Sequence, residues 1–417
     1  MSFSKLNNSK RKRQNEKTYG QQKIRGTTNT KTVPSTITTH TNNNPFTKML
    51  ASDIKYKIID FFIGKNQYSN QCDIFQNLLQ LNHIIFTLLR KYFLLRSLLK
   101  WSQVLKCNEE EKQYLRQIFF NQNIPIQEKY IVKSVVHIGF DMIVKQSLNV
   151  IMLPLNLKHI TFGDNYIESV SPGVLPLGLT SLIFGRHFNR VLSPGSLPMS
   201  LTSLVFGMFF DQPIAPGVLP FGLTNLVFGQ YFCRQIAPEV LPLSLTNLVF
   251  GHWYEYPIVP GILPSGLINL TVGGRFNQPI DPETLPSNII SLKFGREFNQ
   301  SLNPGILPSG LISLELGDDF NQPLIQSSLP PNLTSLIFGW GFNQPISPDV
   351  LPKNLTRLCF SMLFDQPLVP NSLPKNLTHV SFRHGYKHPL NELPENLTHK
   401  TTSYWITHYC SFLWKYS

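Results

Sequence analysis

The hydrophobic pattern of this chain changes period part-way along. Between about residues 46 and 130 apolar positions recur at helical spacing. Ile54, Ile58, Phe61 and Phe62 form one stripe, Leu78, Leu79, Leu81 and Ile85 a second, and Leu88, Tyr92, Leu95 and Leu99 a third that runs to Trp101. Such stripes predict a small α-helical domain over 46–130, with Ser52 or Asp53 as N-cap of its first helix. From Leu153 the period becomes 22 residues. Leu-Pro stands at 153, 175, 197, 219, 241, 263, 285, 307, 329, 351 and 373 without an insertion, and once more at 393, two residues early. A fixed period of this length means a solenoid whose units bury their apolar faces only against one another.

Within each unit five apolar positions return, as in Leu179, Leu182, Phe184, Phe188 and Leu192. Side chains that recur at one place in every coil stack into continuous columns. The β-rich segment Leu-Thr-x-Leu-x-Phe predicts one short strand per coil, paired in parallel with its neighbours. Prolines exclude a helix elsewhere in the unit, as Pro213, Pro216 and Pro220 do across the junction of two coils. The returning glycine after the strand, such as Gly207 or Gly229, is expected to turn the chain with φ > 0. The fold class expected is therefore mainly β: a solenoid of coils with one short parallel strand each over 153–392, preceded by the helical domain.

The same register runs backward. Val135, Ile138, Phe140, Val144 and Leu148 fall on the five apolar positions, predicting a degenerate coil over 131–152 that caps the N-terminal end. Residues 393–417 read as a partial repeat followed by an aromatic cap with Tyr404, Trp405, Tyr409, Phe412 and Trp414. Residues 1–45 are rich in Asn, Thr, Ser and Lys and too poor in apolar residues to fold, which predicts a disordered basic tail.

The units resemble the FNIP repeat, a 22-residue leucine-rich-repeat-like unit. Gly273-Gly274-Arg275-Phe276-Asn277-Gln278-Pro279-Ile280 and Gly339-Trp340-Gly341-Phe342-Asn343-Gln344-Pro345-Ile346 carry its signature most fully. Cys233, Glu255 and Lys387 depart from it where Asn is usual, and Ser361 where Gly is usual. The resemblance implies a leucine-rich-repeat-like array and brings no catalytic residue, cofactor or agreed ligand. A second resemblance, of residues 49–101 to a divergent F-box, rests on the order of a short helix, a gap, Leu-Leu-Gln-Leu-Asn-His and a final Leu-Lys-Trp. It implies docking onto the adaptor of a cullin-type ubiquitin ligase, although Leu50-Ala51 stands where Leu-Pro is usual. A helical cap on the first coil accounts for the same pattern.

Charge narrows the function further. The formal net charge of +13 divides into +9 over residues 1–50, +4 over 51–130 and zero over 131–417. The array thus has no electrostatic footprint for a phosphate backbone, so no nucleic acid is expected on it. Lys10, Arg11, Lys12 and Arg13 form a tight basic run that fits a nuclear-import signal, a weak RNA or membrane contact, or a solvated charged tail. The N-terminus lacks the apolar core of a signal peptide, and Arg90, Lys91 and Arg96 interrupt the apolar stretch 84–99, so no membrane span is expected. Five scattered cysteines suit reduced thiols in the cytosol or nucleus.

No phosphate loop, Cys-x-x-Cys pair or nucleophile motif occurs. His379, His384, His388, His399 and His408 gather near Cys410, but at spacings that match no structural zinc site, so neither a metal nor a catalytic residue is expected. Binding is better supported than catalysis. The second outward strand position reads Ile183, Val205, Val227 and Val249 in coils two to five, counting the Leu153 unit as coil one, and Phe209, Tyr231 and Trp253 lie just beyond those strands. Aromatic anchors beside an apolar stripe are what a protein-binding patch contains. β-branched residues that merely favour a sheet would give the same stripe. Coils seven and eight instead present Lys293, Arg296, Glu297, Glu315, Asp318 and Asp319. The sequence thus points to a non-enzymatic interaction scaffold or to a ligase substrate receptor.

Overall fold

The structure is a computed structural model and describes residues 99–100, 117–120, 134–140, 148, 153–383 and 386–403. All of them belong to the second of two compact units, Leu79–Ser417. The array is one parallel sheet whose strands pair in chain order. Strands β4 to β13 are three residues each, from His159–Thr161 (β4) through Ser181–Ile183 (β5), Ser203–Val205 (β6), Asn225–Val227 (β7), Asn247–Val249 (β8), Asn269–Thr271 (β9), Ser291–Lys293 (β10), Ser313–Glu315 (β11) and Ser335–Ile337 (β12) to Arg357–Cys359 (β13). β14 (His379–Arg383) and β15 (His399–Ser403) close the described residues. Register follows the repeat, Leu182 beside Leu204 and Leu226 beside Leu248, and shortens to His379 beside His399 where the last Leu-Pro comes early.

The expected columns form the core. Leu179, Leu182, Phe184, Phe188 and Leu192 are buried, as are their equivalents in later coils through the Leu373 unit except Ile214, Tyr386 and Leu390, which are half-buried against the core. Within a coil Phe184 stacks on Phe188 with ring centroids 3.8 Å apart, and each ring meets its counterpart in the next coil, Phe206 at 5.8 Å and Phe210 at 6.1 Å. Such offset stacks add to the burial of large aromatic surfaces.

Two elements precede the expected start of the array. Leu99–Lys100 (β1) is a strand where a third helix is expected, and Gln117–Phe120 (β2) is a strand inside the span assigned to the helical domain. β2 pairs with β1 on one side and with His137–Phe140 (β3) on the other. β3 falls within the span 131–152 expected to form a capping coil, with Val135, Ile138, Phe140 and Leu148 buried, and the sheet continues beyond it through β2 and β1. Register steps of 19 and 20 residues replace the 22 of the repeat, as Leu99 beside Ile118 and Gln117 beside His137 show. A period search misses strands that share the hydrogen-bond ladder without sharing the spacing. The basic tail, the rest of the helical span including the F-box-like segment, and the aromatic tail lie outside the described residues.

Glycine plays two separate roles, and neither is the expected one. The column after the strand is held to glycine by close approach: a Cβ on Gly207 would lie 1.8 Å from the carbonyl oxygen of Gly185, and one on Gly229 1.8 Å from that of Gly207. No positive φ occurs at these positions. The left-handed residue sits instead in the turn before Leu-Pro, at Gly173, Gly195, Gly217, Gly261 and Gly305, and in the same column at Glu239, Glu283, Ser327, Asp349 and Asn371.

The Asn-Gln pair has a structural cause as well. Asn277 Oδ1 accepts the backbone N–H of Asn299 at 2.9 Å and the Gln300 amide at 2.9 Å, and the arrangement repeats from Asn299 to Asn321, Asn321 to Asn343 and Asn343 to Asp365. Each side chain satisfies a backbone donor of the next coil that no strand reaches. In the first half Asn189 serves Asp211, and Asp211 serves Cys233 while pairing with Arg234 at 2.8 Å. Cys233 and Glu255 then interrupt the carboxamide series without breaking the sheet.

Candidate binding face

Because strand side chains alternate, the buried leucine of each strand leaves its two neighbours on the outer face. On β5 to β8 those neighbours are a polar column, Ser181, Ser203, Asn225 and Asn247, and the apolar column Ile183, Val205, Val227 and Val249. Ile183 is exposed and the three valines are half-buried. The polar column is linked: the Asn225 amide donates to Ser203 Oγ at 3.1 Å, and the Asn247 amide to Asn225 Oδ1.

Beyond the strands the three aromatics stand in one stack. His187 lies on Phe209 and Phe209 on Tyr231 at 5.0 Å each, Tyr231 on Trp253 at 5.4 Å, all within 24° of parallel. The Arg275 guanidinium closes the stack 3.6 Å over the indole, a cation–π contact. Backbone hydrogen bonds hold the column, Tyr231 N–H to Met208 O and Trp253 N–H to Gln230 O. The faces of Phe209, Tyr231 and Trp253 are thus covered by their neighbours, and these residues are half-buried where sequence reasoning placed free outward anchors. In a stack of this kind what remains for a ligand is the ring rims, with their positive edges and the Tyr231 hydroxyl and Trp253 indole as polar groups.

Past coil five both columns change. The apolar column continues as Thr271, Lys293 and Glu315, the last two in contact, and Glu297 stands 3.9 Å from Arg275. Apolar exposure moves to the residue before the strand, where Ile268, Ile290 and Ile312 replace threonines. Elsewhere those threonines donate to the preceding coil, as Thr202 Oγ1 does to Thr180 O at 3.1 Å.

A larger apolar feature escapes sequence reasoning. The residue after each Leu-Pro is Leu155, Leu177, Met199, Phe221 and Leu243 in coils one to five, 62–84 % exposed, and Ser265, Ser287, Ser309, Pro331, Lys353 and Lys375 thereafter. Reading the repeat column by column would have found it. Its outward direction is invisible in the sequence, because Leu175 and Leu179 on either side of Leu177 are both buried.

Histidines pair at both ends of the polar column. His137 and His159 meet edge to face at 5.9 Å, and His379 stacks on His399 at 4.3 Å. Burial lowers the pKa of His137 and of His379, and the neighbouring histidine lowers each further, with Arg357 also acting on His379. Among the described residues no group of three or more His, Cys, Asp or Glu side chains could hold a metal, and no helix is long and apolar enough to cross a membrane.

The FNIP Repeat family model matches eight overlapping or abutting stretches that together run from residue 145 to 362. The chain belongs to the FNIP-repeat family. No curated protein matches it. Among solved structures, this FNIP-repeat chain is similar to CroV588, described as a novel circular LRR protein, with 37 % identity and a TM-score of 0.64 over 70 % of this chain and 46 % of the other. It thus spans under half the length of that relative. YopM from Yersinia enterocolitica WA-314 aligns at 25 % identity and a TM-score of 0.49, over 70 % of this chain and 60 % of that one. The TLR13–ssRNA13 complex aligns at 14 % and 0.48, over 72 % and 52 %. The array is a leucine-rich-repeat-like parallel solenoid.

Proposed function

We propose that this FNIP-repeat array is a non-enzymatic scaffold that takes a protein or peptide partner on the outer sheet face of coils two to five, using Ile183, Val205, Val227 and Val249 with Phe209, Tyr231 and Trp253. One observation carries the reading: the apolar strand column and the aromatic stack share coils two to five and both end after coil five, where Thr271 follows Val249 and Arg275 caps Trp253. A face-to-face stack on a rigid backbone is already ordered, so a partner that docks on it loses little side-chain freedom in the array.

Affinity capture with the full chain tests the reading. Ile183→Lys with Val227→Lys places two charges in the stripe and is expected to remove the principal partner, with the melting temperature within a few degrees of the parent. These positions suit the test better than Trp253→Ala, which would also dismantle the stack. Glu315→Lys with Asp319→Lys on coil eight is expected to keep the partner bound. Retention by the first pair and loss by the second would move the site to the charged coils.

A further inference from the structure

Outside the proposed binding face, the most unusual surface among the described residues is the ridge Leu155, Leu177, Met199, Phe221 and Leu243. Five large apolar side chains, 84 %, 82 %, 62 %, 74 % and 78 % exposed, stand in consecutive coils. At roughly 150 Å² each they present on the order of 700 Å² of apolar surface, more than a monomer ordinarily shows and close to the ≈ 800 Å² that each partner contributes to a standard interface. The columns beside the ridge are proline on one side and Asn156, Gly178, Ser200, Gly222 and Ser244 on the other. They are small or uncharged, and apart from the Lys158 ammonium, which donates to Gly178 O at 3.0 Å, another surface can approach them closely without stripping water from an ion. The ridge stops at coil six, where serine, proline and then lysine take the position.

We infer that the ridge is a self-association surface, on which a second copy of this chain docks antiparallel about a two-fold axis at Met199. Pitch selects the occupant. Off the strands, equivalent rings in successive coils lie 5.0–6.3 Å apart, and a second copy of the array repeats at whatever interval the first does, whereas an extended strand repeats its facing side chains at about 6.8 Å and falls out of step. A second array of the same pitch meshes along the whole ridge, and a two-fold axis makes one patch serve both partners. Charge selects the direction. A parallel pair would set Lys353 and Lys375 against their own copies, whereas an antiparallel pair confines contact to coils one to five. Leu177 then faces Phe221 of the second copy, and Leu155 faces its Leu243.

Sedimentation equilibrium of the full chain at micromolar concentration, with melting temperature as the folding control, decides the matter. The parent is expected to sediment at twice the chain mass. Phe221→Lys is expected to weaken the dimer at least 100-fold with unchanged melting, since Phe221 is 74 % exposed. Leu177→Glu with Phe221→Lys in one chain is expected to restore the dimer, because the antiparallel register sets each glutamate against a lysine. Val227→Lys, on the sheet face, is expected to leave the dimer intact. A monomeric parent, or a Phe221→Lys variant that dimerises like the parent, would overturn the inference. A monomeric Leu177→Glu/Phe221→Lys chain would overturn the antiparallel register. Because the ridge and the sheet face are separate columns, loss of self-association and loss of partner capture are read independently.

Discussion

Coils one to five and coils six to ten are built on the same backbone, yet they invest their variable positions differently. The first set carries the exposed ridge, the apolar strand column and the aromatic stack, and its carboxamide series is interrupted at Cys233 and Glu255. The second carries lysine, glutamate and aspartate on its outer face and an unbroken Asn-Gln series from Asn277 to Asp365. In both sets the buried leucine and aromatic columns run on with few substitutions. A solenoid can specialise one stretch without refolding another, because each coil touches only its neighbours. Where the exposed apolar columns are concentrated, local support is weaker: Tyr254 stands in the Phe column of coil five with a buried hydroxyl that has no hydrogen-bond partner among the described residues, and burial pushes its pKa up.

The largest effect expected is the same in both halves and tests their shared backbone. Gly229→Ala and Gly317→Ala would set a Cβ 1.8 and 2.0 Å from the carbonyl oxygen of the preceding coil. Neither backbone can yield without disturbing the ladder, so each variant is expected to lose at least about 3 kcal/mol by denaturant titration. Near-parent stability in either one would show that its half is more loosely wound than the other.

Removing and restoring carboxamides should separate the two halves. Asn299→Ala strands the Asn321 N–H, leaves the Gln322 amide only the backbone oxygen of residue 299, and is expected to cost about 1–3 kcal/mol. In the first half the opposite change should help: Cys233→Asn replaces the thiol that takes the Glu255 N–H with a stronger carboxamide acceptor, and Tyr254→Phe removes the orphaned hydroxyl, each gaining up to about 1 kcal/mol. If Asn299→Ala were neutral, the Asn-Gln motif would have no part in holding the coils together.

The smallest effect sets both ends of the array against its middle. His137 and His379 have lowered pKa values in the folded chain, so the unfolded chain binds more protons below the ordinary value of 6.5. Their contribution to stability is complete above pH 6.5 and declines as the pH falls below it. Hydrogen exchange, corrected for its intrinsic pH dependence, is expected to speed up at β3–β4 and β14–β15 between pH 7 and 5. β7–β8, with asparagines in the same column, should not respond. A uniform response along the sheet would assign the effect to the whole array and not to the histidine pairs.

Much of the architecture was legible in the chain itself, because a period of 22 residues and five returning apolar positions leave a parallel solenoid as the arrangement that buries every unit. The strand positions, the inward leucines and phenylalanines and the early final coil all follow from that register. What the period could not reach, packing decided. β1 and β2 join the sheet at steps of 19 and 20 residues, because a hydrogen-bond ladder requires only that neighbouring backbones lie side by side and is indifferent to the length of chain between them. Whether the post-strand glycine answered to φ or to crowding depended on how closely Gly207 and Gly185 approach, a distance set by the pitch of the coil. The direction of Leu177 was likewise settled only when the turn between two buried leucines turned one side chain outward, since hydrophobicity alone is equal on both sides of that turn.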